Sequence, residues 1–303
     1  MDAQRIVTTY LDYCEFRKEL DQKTLKAYRI DLRQFFEAVQ ELKPSKEKIE
    51  AYITDLHKNF KQKTVKRKIA SVKAFYNYLE EEEILEENPF RKIRVKFKET
   101  TTLPRIIPRN EIEQLLNHMY KCYREDKDNK FLLRDIAVIE VFFATGARVY
   151  EISNIRKECV DLESGLIRIM GKGGKERYIQ IGDQEIVHLL REYYIENEDA
   201  IRSSSYFFVN RNGRRYTEQS IRLMIKKYVV DAGIERHITP HMFRHSFATY
   251  LIEEGVDVSC VQQILGHSSI KTTQIYIHIA AGKQAEILKM KHPRRQMKIV
   301  MVA

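Results

Sequence analysis

The sequence lacks a hydrophobic leader, a membrane-length apolar run, paired cysteines and a nucleotide loop, and each absence removes a class of function. The first residues, Met1-Asp2-Ala3-Gln4-Arg5, carry no apolar segment of the kind a secretory signal needs, so no signal peptide is expected. The longest apolar stretch, around Ile136–Ala147, is broken by Glu140 and is too short to cross a bilayer, so no membrane role is expected. The four cysteines, Cys14, Cys122, Cys159 and Cys260, are widely separated and form no Cys-x-x-Cys pair. That spacing suits neither a zinc knuckle nor a disulfide framework, and the expectation is reduced thiols in a cytoplasmic protein. The glycine-rich run Gly171-Lys172-Gly173-Gly174-Lys175 departs from the Gly-x-x-x-x-Gly-Lys-Ser/Thr spacing of a nucleotide loop. There is no internal repeat, no low-complexity segment and no Asp/Glu cluster suited to two magnesium ions.

What is present is a basic chain of 303 residues, 43% hydrophobic and 32% charged, which by length suggests about two packed domains. Its net charge of +10 is spread over the whole length. Residues 1–100 carry 22 Lys/Arg against 18 Asp/Glu, and residues 101–303 carry 31 against 25. Neither part is a lone basic tail, so a nucleic-acid partner would be touched by both parts. Charge alone is equally compatible with an ordinary basic protein.

Residues 1–90 read as a domain of four amphipathic helices. Ile6, Tyr10, Tyr13 and Cys14 recur at helical spacing, then Leu25, Tyr28, Leu32, Phe35 and Val39 behind Asp21 as a cap. Ile49, Tyr52, Ile53 and Leu56 follow Pro44 and Ser45, and Val65, Ile69, Val72, Phe75, Tyr76 and Leu79 mark the fourth helix. No acidic residue lies between Asp55 and Glu80, a span holding six lysines and one arginine. The entry of that helix, Lys63, Thr64, Arg67 and Lys68, is the predicted DNA contact; a solvated basic face is the competing reading. An acidic patch ends at Asn88-Pro89, and residues 91–108, basic and punctuated by Pro104 and Pro108, read as an interdomain linker.

Residues 109–292 read as a second domain, mainly helical, with 293–303 as a tail. Its periodicity changes over 160–181, where Leu166, Ile167 and Ile169, then Tyr178, Ile179 and Ile181, predict a small antiparallel sheet around the glycine-rich turn. Helices are expected over 184–196, 218–232 and 258–265, with a short strand over 206–209. A further helix opens at Thr239-Pro240, with Thr239 as N-cap and Pro240 in the first turn. It places His241 and Arg244, three residues apart, on one face. Taken singly the candidate residues stay ambiguous. Arg148 and Glu151, one helical turn apart, read as well as a structural ion pair. Lys172 sits in what is otherwise a basic turn. His241 and His245 are four apart, but Met242 stands where a zinc protease has Glu, and no metal is expected. Tyr276 is one tyrosine of 17.

Order and spacing are more specific. The series Thr145-Gly146-Ala147-Arg148-Val149-Tyr150-Glu151-Ile152, Gly171-Lys172-Gly173, His241-Met242-Phe243-Arg244-His245, Leu265-Gly266-His267 and Tyr276 resembles the tyrosine recombinase (phage integrase) family. The run Thr24-Leu25-Lys26-Ala27-Tyr28-Arg29-Ile30-Asp31-Leu32 and the ending His292-Pro293-Arg294 are similar to Xer-type members. The resemblance implies a helical core-binding domain and an α+β catalytic domain, together forming a site-specific recombinase. It also implies Tyr276 as nucleophile, Arg148, Arg244 and His267 on the phosphate, His241 as base, Lys172 as acid and Glu151 in support. It implies a 3′-phosphotyrosine intermediate with no metal, ATP or other cofactor. The implied partners are double-stranded DNA carrying specific sites and a homotetramer at synapsis, with the C-terminal segment exchanged in trans and accessory DNA-bending proteins. A Xer-like resolvase and a mobile-element integrase are both compatible, and type IB-like relaxation or a DNA-binding regulator of the same fold are the alternatives. Affinity for duplex DNA is expected to fall steeply and linearly on a log–log plot against salt, because Lys/Arg–phosphate contacts release counterions. A filter-binding or anisotropy titration at several salt concentrations checks this, and a flat response contradicts it.

Overall fold

The computed structural model describes residues 3–95, 97, 104–171 and 174–266, and the chain divides into two compact units, Met1–Thr101 and Thr102–Ala303. The first unit holds four helices, α1 (Ala3–Phe16), α2 (Gln22–Val39), α3 (Lys46–Asn59) and α4 (Gln62–Glu81). The entries of α2 and α3 follow from their caps: Asp21 accepts from the Thr24 N–H and Ser45 from the Lys48 N–H. The apolar stripes meet in an aromatic core in which Phe35 packs edge-on against Tyr52 and Tyr76, and Tyr10 against Phe75. Phe90 and Ile93 are buried in the same core, so the chain reserved as linker from residue 91 begins as part of this unit.

Inside this core lies a fully buried carboxylate. Asp31 of α2 accepts from Ser71 Oγ at 2.8 Å, from Lys68 Nζ at 3.2 Å and from Arg67, all three on α4. Lys68 also donates to Gln34 and is only 3% exposed. This corrects the expectation that Lys68 contacts DNA: its ammonium is turned inward because Asp31 needs a cation where water cannot reach. Lys63 and Arg67 are exposed and Thr64 is half-buried.

In the second unit Ile107 is already fixed: its side chain is buried and its N–H donates to Ser246 Oγ at 2.8 Å. The residues taken as the end of the linker therefore anchor this unit. Then follow α5 (Arg109–Glu125), α6 (Lys130–Thr145) and the short α7 (Val149–Ser153). Next come β1 (Val160–Asp161), β2 (Leu166–Met170) and β3 (Glu176–Gln180), and the helices α8 (Gln184–Glu196), α9 (Glu198–Ser203), α10 (Glu218–Asp231), α11 (Pro240–Glu253) and α12 (Val258–Leu265). The described residues are thus mainly helical, with one antiparallel sheet in the order β1-β2-β3. Ile167 pairs with Ile179 and Ile169 with Arg177, and the isoleucines of both strands face the core. The expected strand over 206–209 is instead two isolated bridges, Arg156 to Tyr206 and Val209 to Arg215.

Helix α6 is the axis of this unit and is buried on nearly every side, as its predominantly apolar sequence requires. Its two charged neighbours are satisfied internally: Arg134 pairs with Asp135 at 2.7 Å, and Asp135 also accepts from Tyr216 Oη at 3.1 Å and Tyr228 Oη at 3.3 Å. Among the described residues no helix is long and apolar enough to cross a membrane. The first unit's buried charge makes a direct prediction. Asp31→Ala strands Lys68 without a counter-ion and destabilises the unit by about 3–5 kcal/mol. Replacing both charges, Asp31→Leu with Lys68→Met, costs about 1.5 kcal/mol or less. Hydrogen exchange of the α2 and α4 amides reads both values.

Candidate active site

The site is assembled where α6, α7, α11, α12 and β3 come together. Helix α6 ends at Gly146, whose φ of +59° suits glycine and whose missing Cβ leaves room for two neighbours. A Cβ there would stand 2.4 Å from Phe247 of α11 and 2.8 Å from Leu265 of α12. Thr145 Oγ1 accepts from the Ala147 N–H at 3.2 Å, which fixes the turn that follows. Arg148 is then the N-cap of α7, and Glu151 reaches back to accept its backbone N–H at 2.7 Å.

Glu151 is the centre of the arrangement. It is 3% exposed. Arg148 Nη1 donates to Oε1 at 2.7 Å. Arg177 of β3 approaches with its fork, Nη1 to Oε1 at 3.0 Å and Nη2 to Oε2 at 2.7 Å. Arg244 of α11 lies with Nη1 4.0 Å from Oε2. Burial by itself would raise the Glu151 carboxyl, but the hydrogen bonds and charge of Arg177, followed by those of Arg148, hold it below the usual carboxylate range. Arg244 is 4% exposed and is fixed by two carbonyls, Nη1 on Gly146 at 2.8 Å and Nη2 on Leu265 at 2.7 Å. It ties the end of α6 to the end of α12. Gly266 closes α12 with φ +64°, directly before His267 in the chain.

Of the residues expected from sequence, Arg148, Glu151 and Arg244 are brought together. His241 lies in the first turn of α11 and is exposed. Thr239 does stand at the N-cap of α11, but its side chain makes no cap hydrogen bond; the first turn is held by the Thr239 carbonyl, which accepts from the Met242 N–H at 2.9 Å. His245 is pushed down to about 4 by burial, with the charges of His241 and Arg244 adding to it, so it is neutral at neutral pH. Lys172, His267, Tyr276 and the segments 277–292 and 293–303 lie outside the described residues. Arg177 was not singled out from sequence. The signal was there: it alternates with Ile179 on the inward face of β3, where an arginine needs a partner. Two guanidiniums, Arg148 and Arg244, are thus held in place by a carboxylate and by backbone carbonyls.

Comparison with known proteins places the chain in a family. The model of the phage integrase family matches residues 105–283, and that of the phage integrase N-terminal SAM-like domain matches residues 7–83. A tyrosine recombinase of Agathobacter rectalis is 45% identical over 300 residues, covering 97% of this chain and 98% of that protein. The tyrosine recombinase XerD of Listeria innocua is 32% identical, covering 95% and 99%. Among solved structures, XerH site-specific recombinase bound to palindromic difH substrate in a post-cleavage complex has a similar fold, with a TM-score of 0.74, 24% identity and coverage of 94% and 85%. A lambda integrase tetramer bound to a Holliday junction has a TM-score of 0.65 at 14% identity, covering 88% and 77%. The site's dependence on the bare backbone at residue 146 is testable. Gly146→Ala combines a strained positive φ with a clash against Phe247, and is expected to cost about 2 kcal/mol or more of stability. Thermal or denaturant unfolding measures it.

Proposed function

The chain belongs to the phage integrase family and is a DNA strand-cleaving and rejoining enzyme of the tyrosine recombinase kind; we propose that it performs site-specific recombination with Tyr276 as nucleophile and Arg148 and Arg244 as the phosphate clamp. The observation that carries this is the convergence of those two guanidiniums on Glu151, Arg148 Nη1 at 2.7 Å and Arg244 Nη1 at 4.0 Å, with Leu265 held by Arg244 immediately ahead of Gly266 and His267.

In this reading the scissile phosphodiester binds with its non-bridging oxygens against Arg148 and Arg244. Guanidiniums keep their charge at any working pH and present forked donors, so they stabilise the extra charge that gathers on those oxygens in the transition state. His267 adds a further donor. The Tyr276 phenol, with an ordinary pKa of about 10, needs its proton removed as it attacks phosphorus. His241 accepts that proton; the neighbouring His245, with its depressed pKa, binds protons too weakly for the task. The bond from phosphorus to the 5′ oxygen breaks as Lys172 delivers a proton to that oxygen. The product is a 3′-phosphotyrosine and a free 5′-hydroxyl. Attack by a 5′-hydroxyl of the partner strand reverses the steps, with His241 returning the proton to Tyr276. The phosphate bond is exchanged rather than hydrolysed, so neither ATP nor a metal ion is required.

The substrate is double-stranded DNA carrying specific recombination sites. Lys63, Thr64 and Arg67 at the entry of α4 contact it from the first unit, with Lys68 withdrawn from that set. Four protomers assemble at synapsis, as in the lambda integrase tetramer on a Holliday junction. The apolar residues of the C-terminal segment, Ala280, Ile287, Leu288 and Met290, dock on a neighbouring protomer. A groove of about 410 Å³ lined by Ile112, Leu116, Phe143, Phe247, Tyr250 and Leu251 is of the right character to receive them. Cytoplasmic location and accessory DNA-bending proteins complete the reading.

The test is a nicked suicide duplex bearing the chain's own site, recovered by selection from genomic fragments, incubated in EDTA. The expected result is a covalent protein–DNA adduct that disappears in Tyr276→Phe while DNA binding persists. An adduct that survives in Tyr276→Phe, or one that forms only with added divalent metal, contradicts the mechanism.

A further inference from the structure

Arg177 has no task in the mechanism above, yet it binds both oxygens of Glu151, the centre of the site. Its side chain is 11% exposed and its fork is spent on Glu151. A carboxylate offers about four lone-pair positions. Here all four are taken: two by Arg177, one by the Arg148 backbone N–H and one by Arg148 Nη1. Arg148 is thereby limited to a single side-chain bond with Glu151, and its side chain remains 39% exposed. The geometry of a carboxylate facing a guanidinium favours the two-point fork whenever both oxygens are open. With Arg177 absent, the open face of Glu151 would draw Arg148 into that fork and out of the site.

We propose that Arg177 is a positioning residue for the scissile phosphate: by filling the fork face of Glu151 it holds Arg148 to one carboxylate bond and leaves the rest of that guanidinium to the phosphate. The inference rests on the reading that Arg148 and Arg244 clamp the phosphate. Charge supports it as well as shape. Glu151 with Arg148, Arg177 and Arg244 is one anion among three cations, so the group keeps positive charge for an anionic ligand, and losing Arg177 removes half of the excess. Arg177 also supports the far wall. Its Cδ and Nη1 lie 3.2 and 3.4 Å from where a Cβ on Gly266 would stand, so the end of α12 rests on the same side chain that neutralises Glu151.

A buried ion pair kept only for stability would not care what charge the substrate carries, and the experiment uses that difference. Single-turnover cleavage of the suicide duplex is measured with the full chain, with Arg177→Gln and with Arg177→Gln/Glu151→Gln. One duplex carries an ordinary scissile phosphodiester and a second carries a methylphosphonate there, which lacks the negative charge the clamp serves. Arg177→Gln is expected to cleave the phosphodiester about 10- to 100-fold more slowly than the unaltered chain, the scale of a misplaced catalytic contact, with DNA affinity retained. On the methylphosphonate the deficit relative to the unaltered chain shrinks to about threefold or less, since a neutral centre asks less of the clamp. The double variant recovers most of the phosphodiester rate, because the carboxylate that captures Arg148 is gone. If Arg177→Gln does not fold, Arg177→Lys, which keeps the charge without the fork, carries the same comparisons. An equal deficit on both duplexes, or no recovery in the double variant, overturns the positioning role. No adduct from the unaltered chain on either duplex overturns the recombinase reading and this inference with it.

Discussion

A carboxylate shut away from water stays ionised only if cations come to it, and Glu151 brings them from three elements at once. Arg177 arrives from β3, Arg148 from the start of α7 and Arg244 from α11. Each arrival fixes a piece of backbone. The capping bond to the Arg148 N–H sets where α7 begins, and Arg244 spans from the carbonyl of Gly146 to that of Leu265. β3, α7 and α11 are therefore tied to one another through a single acidic group. The bare backbone at Gly146 is what lets Phe247 and Leu265 close over it.

The first unit uses the same device. Asp31 is buried between α2 and α4, and it binds Lys68, Arg67 and Ser71. Lys68 is consumed by that contact, whereas Arg67 is half outside, with its side chain 46% exposed. An acid at the base of a basic side chain restricts its rotamers, so less freedom is lost when the cation meets a phosphate. In both units a buried carboxylate sets the direction of an exposed arginine.

These two groups also mark where the sequence was readable and where it was not. The helices of the first unit follow from stripes and caps, and Asp21 and Ser45 act as their positions predict. The order of the short motifs pointed to Arg148, Glu151 and Arg244 as neighbours although 93 residues separate Glu151 from Arg244. A lysine within a basic run, such as Lys68, does not stand out from that run. Its spacing from Val65 and Val72 puts it on the apolar stripe, and Asp31 stands on the stripe of α2 between Tyr28 and Phe35. Two opposite charges on two facing stripes are a buried pair in waiting. Arg177 was passed over for a related reason. The glycine-rich turn beside it is the more conspicuous feature, while strand alternation with Ile179 places Arg177 inward. What sequence could not supply was the sharing of one carboxylate by several cations, which depends on tertiary distances of about an ångström.

The central claim is that Arg177 and Glu151 hold Arg148 and Arg244 ready for one phosphate. The most direct measurement is a crystal structure of Tyr276→Phe bound to its own recombination site. The account predicts Arg148 and Arg244 both within hydrogen-bonding distance of the non-bridging oxygens of a single phosphate, with Arg177 still forked on Glu151. A structure in which Arg148 is forked on Glu151, or in which Arg177 leaves Glu151 to contact the phosphate itself, would contradict it.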